Sequence, residues 1–196
     1  MKHNIAEVAA LHPDYLGFIF YEKSPRNFNG VLPELPSSIK KVGVFVDETV
    51  EKVMKLASKY QLDVIQLHGE ESPNYCEDLA KQSNTLEIWK VFSIGETFNF
   101  KDLIPYEKVV NAFLFDTKGK NKGGNGKVFN WELLKKYPSQ KPFILSGGIG
   151  LNEVDAIKEF LKKQDLPLYA IDLNSKFENS PGLKNTNALK QFFNEL

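Results

Sequence analysis

The stretch Phe143-Ile144-Leu145-Ser146-Gly147-Gly148-Ile149-Gly150 passes from an apolar run into a glycine-rich turn, and Val154, Ile157 and Leu161 follow at helical spacing. A short apolar run, a turn signal and then a 3.6-residue period read as strand, tight loop and helix, one β/α unit of a parallel sheet. Outward from this unit the same alternation recurs. Strands are expected at 15–20, 41–46, 64–67, 88–92, 112–115, 143–145 and 170–173. Between them, Val50, Val53, Met54, Ala57 and Tyr60 mark one core-facing helix, and Tyr75, Cys76, Leu79 and Ala80 another. The chain closes on Ala188, Leu189, Phe192, Phe193 and Leu196 along one helical face, behind Asn185 or Thr186 as cap.

The beginning differs. Asn4 and Glu7 have the spacing of a capping box, and Ile5, Val8 and Ala9 then mark a helix with no strand ahead of it. A helix followed by seven strands fits an open doubly wound sheet or a closed barrel that lacks a strand. No glycine-rich dinucleotide fingerprint follows any strand, which favours the second. The expected fold is therefore an α/β TIM (β/α)8 barrel with its first β-strand absent, a single domain over residues 1–196. The Gly/Lys/Asn-rich stretch 118–127 is a candidate lid.

Lys plus Arg and Asp plus Glu are 25 each, so there is no basic field to hold nucleic acid. No apolar run reaches the roughly 18 residues that span a bilayer. A cytoplasmic protein that holds any ligand locally is expected. One cysteine and three scattered histidines leave no disulfide or metal-ligand spacing, so neither disulfide nor metal is expected.

In a β/α-barrel the chemistry lies at the C-terminal ends of the strands. Gly147 and Gly148 let backbone amides approach an anion without a Cβ in the way, and Asn174 and Ser175 would supply the facing loop of a phosphate site; the alternative is a turn that merely needs glycine. Arg26, behind Pro25, has a planar fork suited to a carboxylate, but a solvated loop arginine or a salt bridge to Glu22 suits it equally. Asp116 ends the apolar run Ala112-Phe113-Leu114-Phe115, where it could act as a general acid or serve as a turn residue. His68 reads better as a loop-ordering residue than as a ligand contact. Cys76 reads as a small hydrophobe on a helix face, and Trp89 and Trp131 as core anchors.

Taken together, Leu16-Gly17-Phe18-Ile19-Phe20-Tyr21-Glu22-Lys23-Ser24-Pro25-Arg26, Lys41-Val42-Gly43-Val44-Phe45-Val46 and Gln66-Leu67-His68-Gly69 resemble phosphoribosylanthranilate isomerase of tryptophan biosynthesis in order and spacing. So do Phe115-Asp116-Thr117, the 123–127 loop leading into Phe129-Asn130-Trp131, Leu145-Ser146-Gly147-Gly148, Asp172-Leu173-Asn174-Ser175 and Ser180-Pro181-Gly182. The resemblance implies an aldose-ketose isomerase that converts N-(5-phosphoribosyl)anthranilate to its 1-deoxyribulose 5-phosphate product by an Amadori rearrangement, without cofactor or metal. Asp116 matches the family's general acid and Arg26 the arginine that holds the anthranilate carboxylate. Gly147, Gly148, Asn174 and Ser175 match phosphate-binding positions, and Asp172 a carboxylate at the foot of that site. Asn174 stands for a usual serine and Lys176 for a usual glycine.

The family's general base is a cysteine in a Cys-Gly pair that ends a strand before the first helix. Met1 aligns with the residue after that pair, so the chain as given is expected to be poorly stable and nearly inactive. Two other readings remain: a non-catalytic sugar-phosphate-binding barrel, and another phosphate-binding barrel enzyme. An indole-glycerol-phosphate synthase would need an N-terminal lysine-bearing extension, and a ribulose-phosphate epimerase a metal-histidine set.

Overall fold

A computed structural model describes residues 1–117, 129–163 and 166–196; the candidate lid at 118–127 lies outside them. Seven parallel strands follow one another in space as they do in sequence. They are β1 (Tyr15–Ile19), β2 (Lys40–Phe45), β3 (Val64–Leu67), β4 (Glu87–Ile94), β5 (Ala112–Thr117), β6 (Phe143–Leu145) and β7 (Leu168–Ile171). Helices α1 (Ile5–Ala9), α2 (Val50–Tyr60), α3 (Pro73–Gln82), α4 (Val154–Lys163) and α5 (Thr186–Glu195) accompany them, and 3-10 helices Phe100–Tyr106 and Trp131–Lys136 make the crossovers after β4 and β5.

The period-two alternation of the strands sorts their side chains into two cores. Val42, Val64, Trp89, Val91, Ala112, Leu114 and Ile144 fill the concave side. Phe45, Ile65, Leu67, Ile88, Phe113, Phe115, Phe143 and Leu145 face outward beneath the helices. Burying each outer side chain stabilises the fold by about 1.5–3 kcal/mol, which is why these strands are apolar on both faces. Helix starts follow local chemistry: the hydroxyls of Thr49 and Ser72 accept from the amides of Lys52 and Tyr75, and the Asn185 side chain accepts from the amide of Ala188.

Three differences from the sequence expectation have physical causes. Asn4 does not cap α1; its amide group donates to the Lys184 carbonyl at 2.9 Å and to Glu7 at 3.2 Å, while its side-chain oxygen accepts from the Lys184 amide at 2.9 Å. Tertiary partners have taken the capping side chain. Strand β7 begins and ends two residues earlier than expected, because its pairing with β6 runs from Leu168 to Ile171, with Tyr169 left out by a register shift opposite Phe143 and Ile144. Beyond it, β8 (Glu178–Ser180) and β9 (Leu183–Lys184) form an unforeseen hairpin. Its turn needs Gly182, whose φ is +84° and whose added Cβ would lie 2.7 Å from the Lys2 Cβ.

Strands β1 and β7 are the two ends of the sheet and do not pair with each other. At their lower ends the Tyr15 and Tyr169 hydroxyls share a 2.6 Å hydrogen bond, and both rings pack edge-on against Trp89. Nearer the upper end the Met1 amino group meets the Gly17 carbonyl. An unpaired strand edge is a template for association. We therefore expect the 196-residue chain to melt at lower temperature and self-associate more than the same chain extended ahead of Met1 by a strand ending in Cys-Gly. Calorimetry and sedimentation at matched concentration would check this, and identical behaviour of the two proteins would contradict it.

Candidate functional site

All seven strands point the same way, so their C-terminal ends form one rim. Inward alternation along β5 from Ala112 through Leu114 brings Asp116 to that rim, where it is buried. Its Oδ2 lies 3.3 Å from Nε2 of His68, whose Nδ1 is 3.4 Å from Nε2 of Gln66. His68 thus links the end of β3 to the carboxyl on β5. The neighbouring loops are held by Glu71 and Lys90. The Glu71 carboxylate accepts from the amides of Asp47 and Gly69 and pairs with the Lys90 ammonium at 3.1 Å, and Lys90 also donates to the Gly69 carbonyl at 2.8 Å.

The turn after β6 packs against the same carboxyl. Gly147 has φ +89°, and a Cβ there would come within 2.5 Å of the Asp116 Oδ1, so only glycine fits; Gly148 has φ +73°. Beside it the Ser146 hydroxyl donates to Asp172 at 2.8 Å. Asn174 and Ser175 line the same cavity as Gly147 and Gly148, and the Asn174 side-chain oxygen accepts from the Lys184 ammonium at 2.8 Å. The four residues read as a phosphate site therefore border one space.

Arg26 faces that space from the loop after β1, but its salt bridge is not to Glu22, which instead pairs with Lys52 at 3.3 Å. Its partner is Glu178 on the hairpin, at 2.7 Å from Nη2 and 2.8 Å from Nε. Sequence spacing pointed to the nearby acid. The fold brings a distant one. Burial pushes the Glu178 carboxyl up, but the Arg26 hydrogen bonds and the Lys184 charge more than offset it, so the group sits below the ordinary glutamate range. Desolvation likewise lowers the Lys184 ammonium despite Glu178 and Asp172 nearby.

The cavity that joins these groups has a volume of about 1420 Å3 and extends down between β1 and β7. Cys76 is not part of it. Fully buried on α3, its thiol is pushed up to about 11 by burial, so it stays protonated at neutral pH. Trp89 and Trp131 are buried, as core anchors should be. Among the described residues no cluster of His, Cys, Asp and Glu could hold a metal, and no helix is long and apolar enough to cross a membrane.

Glu178, Lys184, Glu71 and Lys90 escaped the sequence reading. Ser180-Pro181-Gly182 is a turn signal that could have flagged a hairpin and its flanking charges. A lysine inside Ile88-Trp89-Lys90-Val91-Phe92 is a charge in an apolar strand, and such a charge needs a buried partner.

Comparison with known proteins decides the family. Residues 1–195 match the model of N-(5'phosphoribosyl)anthranilate (PRA) isomerase. The chain belongs to that family. The N-(5'-phosphoribosyl)anthranilate isomerase of Parabacteroides distasonis is 44% identical over 98% of this chain and 88% of its own length. The crystal structure of phosphoribosyl anthranilate isomerase from Thermotoga maritima superposes with TM-score 0.80 at 28% identity, covering 97% of this chain and 91% of that one. A further isomerase structure, in complex with reduced 1-(o-carboxyphenylamino)-1-deoxyribulose 5-phosphate, gives 0.74 at 29% identity over 97% and 91%. The isomerase family's barrel is thus the fold of this chain.

The lowered Glu178 carboxyl fixes the sign of an acid effect. The folded chain keeps this group ionised to lower pH than the unfolded chain does. Its contribution is therefore fully present above the unfolded-state pKa and is lost as pH falls through the folded-state value. Between about pH 6 and about pH 3 the melting temperature of the parent should fall further than that of Glu178→Gln. Parallel curves would contradict the assignment.

Proposed function

We propose that this chain, as one domain, isomerises N-(5'-phosphoribosyl)anthranilate by an Amadori rearrangement. Family membership over residues 1–195 supports the reading, and one observation carries it: a buried acid, Asp116, lies between a histidine and a glycine turn, in a cavity that also holds an arginine. The substrate carries an anion at each end, a phosphate and a carboxylate. Gly147, Gly148, Asn174 and Ser175 take the phosphate. Asp172 steadies that end through its bond with Ser146, and Arg26 takes the carboxylate.

Asp116 gives its proton to the furanose ring oxygen as the bond from C1 to that oxygen breaks, and the nitrogen lone pair forms the C1 iminium. A base then removes the C2 proton, the electron pair closes an enamine, and tautomerisation gives the 2-ketone. The family resemblance gives the base as a cysteine ahead of the position of Met1. Cys76 cannot replace it, being buried on α3. The chain acts on this small molecule in the cytoplasm as a monomer or homodimer, without nucleic acid or membrane partner.

Asp116→Asn keeps shape and removes the transferable proton. In the chain extended by a Cys-Gly strand, it should lower turnover by about 10²-fold or more while leaving affinity for the reduced product analogue within about twofold. An Asp116→Asn protein with parental turnover would remove the mechanism.

A further inference from the structure

Glu178 reaches the site from the β8–β9 hairpin, far in sequence from the loop that carries Arg26. Its carboxylate is saturated. Oε2 accepts from Arg26 Nε at 2.8 Å and pairs with Nη2 at 2.7 Å. Oε1 accepts from Arg26 Nε at 3.1 Å, from the Gly182 amide at 3.1 Å and from Lys184 Nζ at 3.4 Å. With its side chain only 4% exposed and every lone pair engaged, Glu178 is placed to hold protein groups, not a ligand.

A guanidinium offers two bidentate edges, one through Nε and Nη2 and one through Nη1 and Nη2. Among the described residues, the side-chain hydrogen bonds of Arg26 all use the first edge and all run to Glu178. The Arg26 side chain is 18% exposed and borders the cavity. Held along one edge, the planar group keeps a fixed orientation and presents the other edge to an incoming carboxylate. Lys184 extends the arrangement, because the ammonium that touches Glu178 also donates to the Asn174 carbonyl at 3.1 Å and to its side-chain oxygen at 2.8 Å.

We infer that Glu178 is a positioning residue for the substrate carboxylate: it orients Arg26 by occupying its Nε edge. The inference rests on the reading of Arg26 as the carboxylate-binding residue. A carboxylate subsite built this way should discriminate by charge at the ring. A salt bridge that merely anchors the hairpin should not.

The test titrates two probes into the full chain by calorimetry: reduced 1-(o-carboxyphenylamino)-1-deoxyribulose 5-phosphate, and the same compound without its ring carboxylate. Glu178→Gln should weaken the first by about tenfold, the scale of one charge-assisted hydrogen bond, and leave the second within about twofold. In an Arg26→Ala background the same change should add nothing to either probe, the coupling expected of groups that act as a unit. Glu178→Asp keeps a charge for Lys184 but is one methylene too short to span Nε and Nη2, so it should show the same selective loss and serves if the glutamine protein does not fold. Equal weakening of both probes by Glu178→Gln, or parental binding of both by Glu178→Asp, would overturn the proposal. Unchanged binding of both probes by Arg26→Ala would instead overturn the reading of Arg26.

Discussion

The parallel run of β1 to β7 is the constraint on which the rest depends. Because no strand reverses, every loop that follows a strand opens at the same rim, and residues remote in sequence meet there without further instruction. Alternation then divides the labour along each strand. On β5, Ala112 and Leu114 close the interior while the next inward position, Asp116, reaches the rim. Outward Phe113 and Phe115 hold the strand to its helical layer.

Rim loops must be fixed if side chains on them are to meet a ligand in one geometry, and two buried ionic clusters do this. Glu71 and Lys90 gather the loops after β2 and β3, so that His68 is presented to Asp116. Glu178 gathers the loop after β1, the hairpin and, through Lys184, the loop after β7. A buried ion pair adds little net stability, but losing one partner costs about 3–5 kcal/mol because the other charge is left unpaired. Such clusters therefore specify one arrangement of the rim more than they strengthen the fold.

The strands and most helices were legible because they obey local rules: periodicity, turn residues and, at the last helix, the cap Asn185. The rim positions of Asp116, Gly147 and Gly148 were legible because they lie just beyond apolar runs. What escaped was long-range. Asn4 has the sequence of a cap but bonds Lys184, and Arg26 has an acid four residues away but pairs with Glu178. No local pattern distinguishes those outcomes, since each is decided by which side chain the folded chain brings into reach. Lys90 is intermediate: its position in an apolar strand signals a partner without naming Glu71.

In the proposed binding mode one cavity holds both anionic ends of the substrate, with Asp116 between them. The most direct measurement is a crystal structure of this chain with reduced 1-(o-carboxyphenylamino)-1-deoxyribulose 5-phosphate. The expected complex has the phosphate against Gly147, Gly148, Asn174 and Ser175, the ring carboxylate on the Nη1 edge of Arg26, and the sugar chain crossing Asp116. A ligand bound outside the rim, or with its carboxylate at the glycine turn and its phosphate on Arg26, would contradict it.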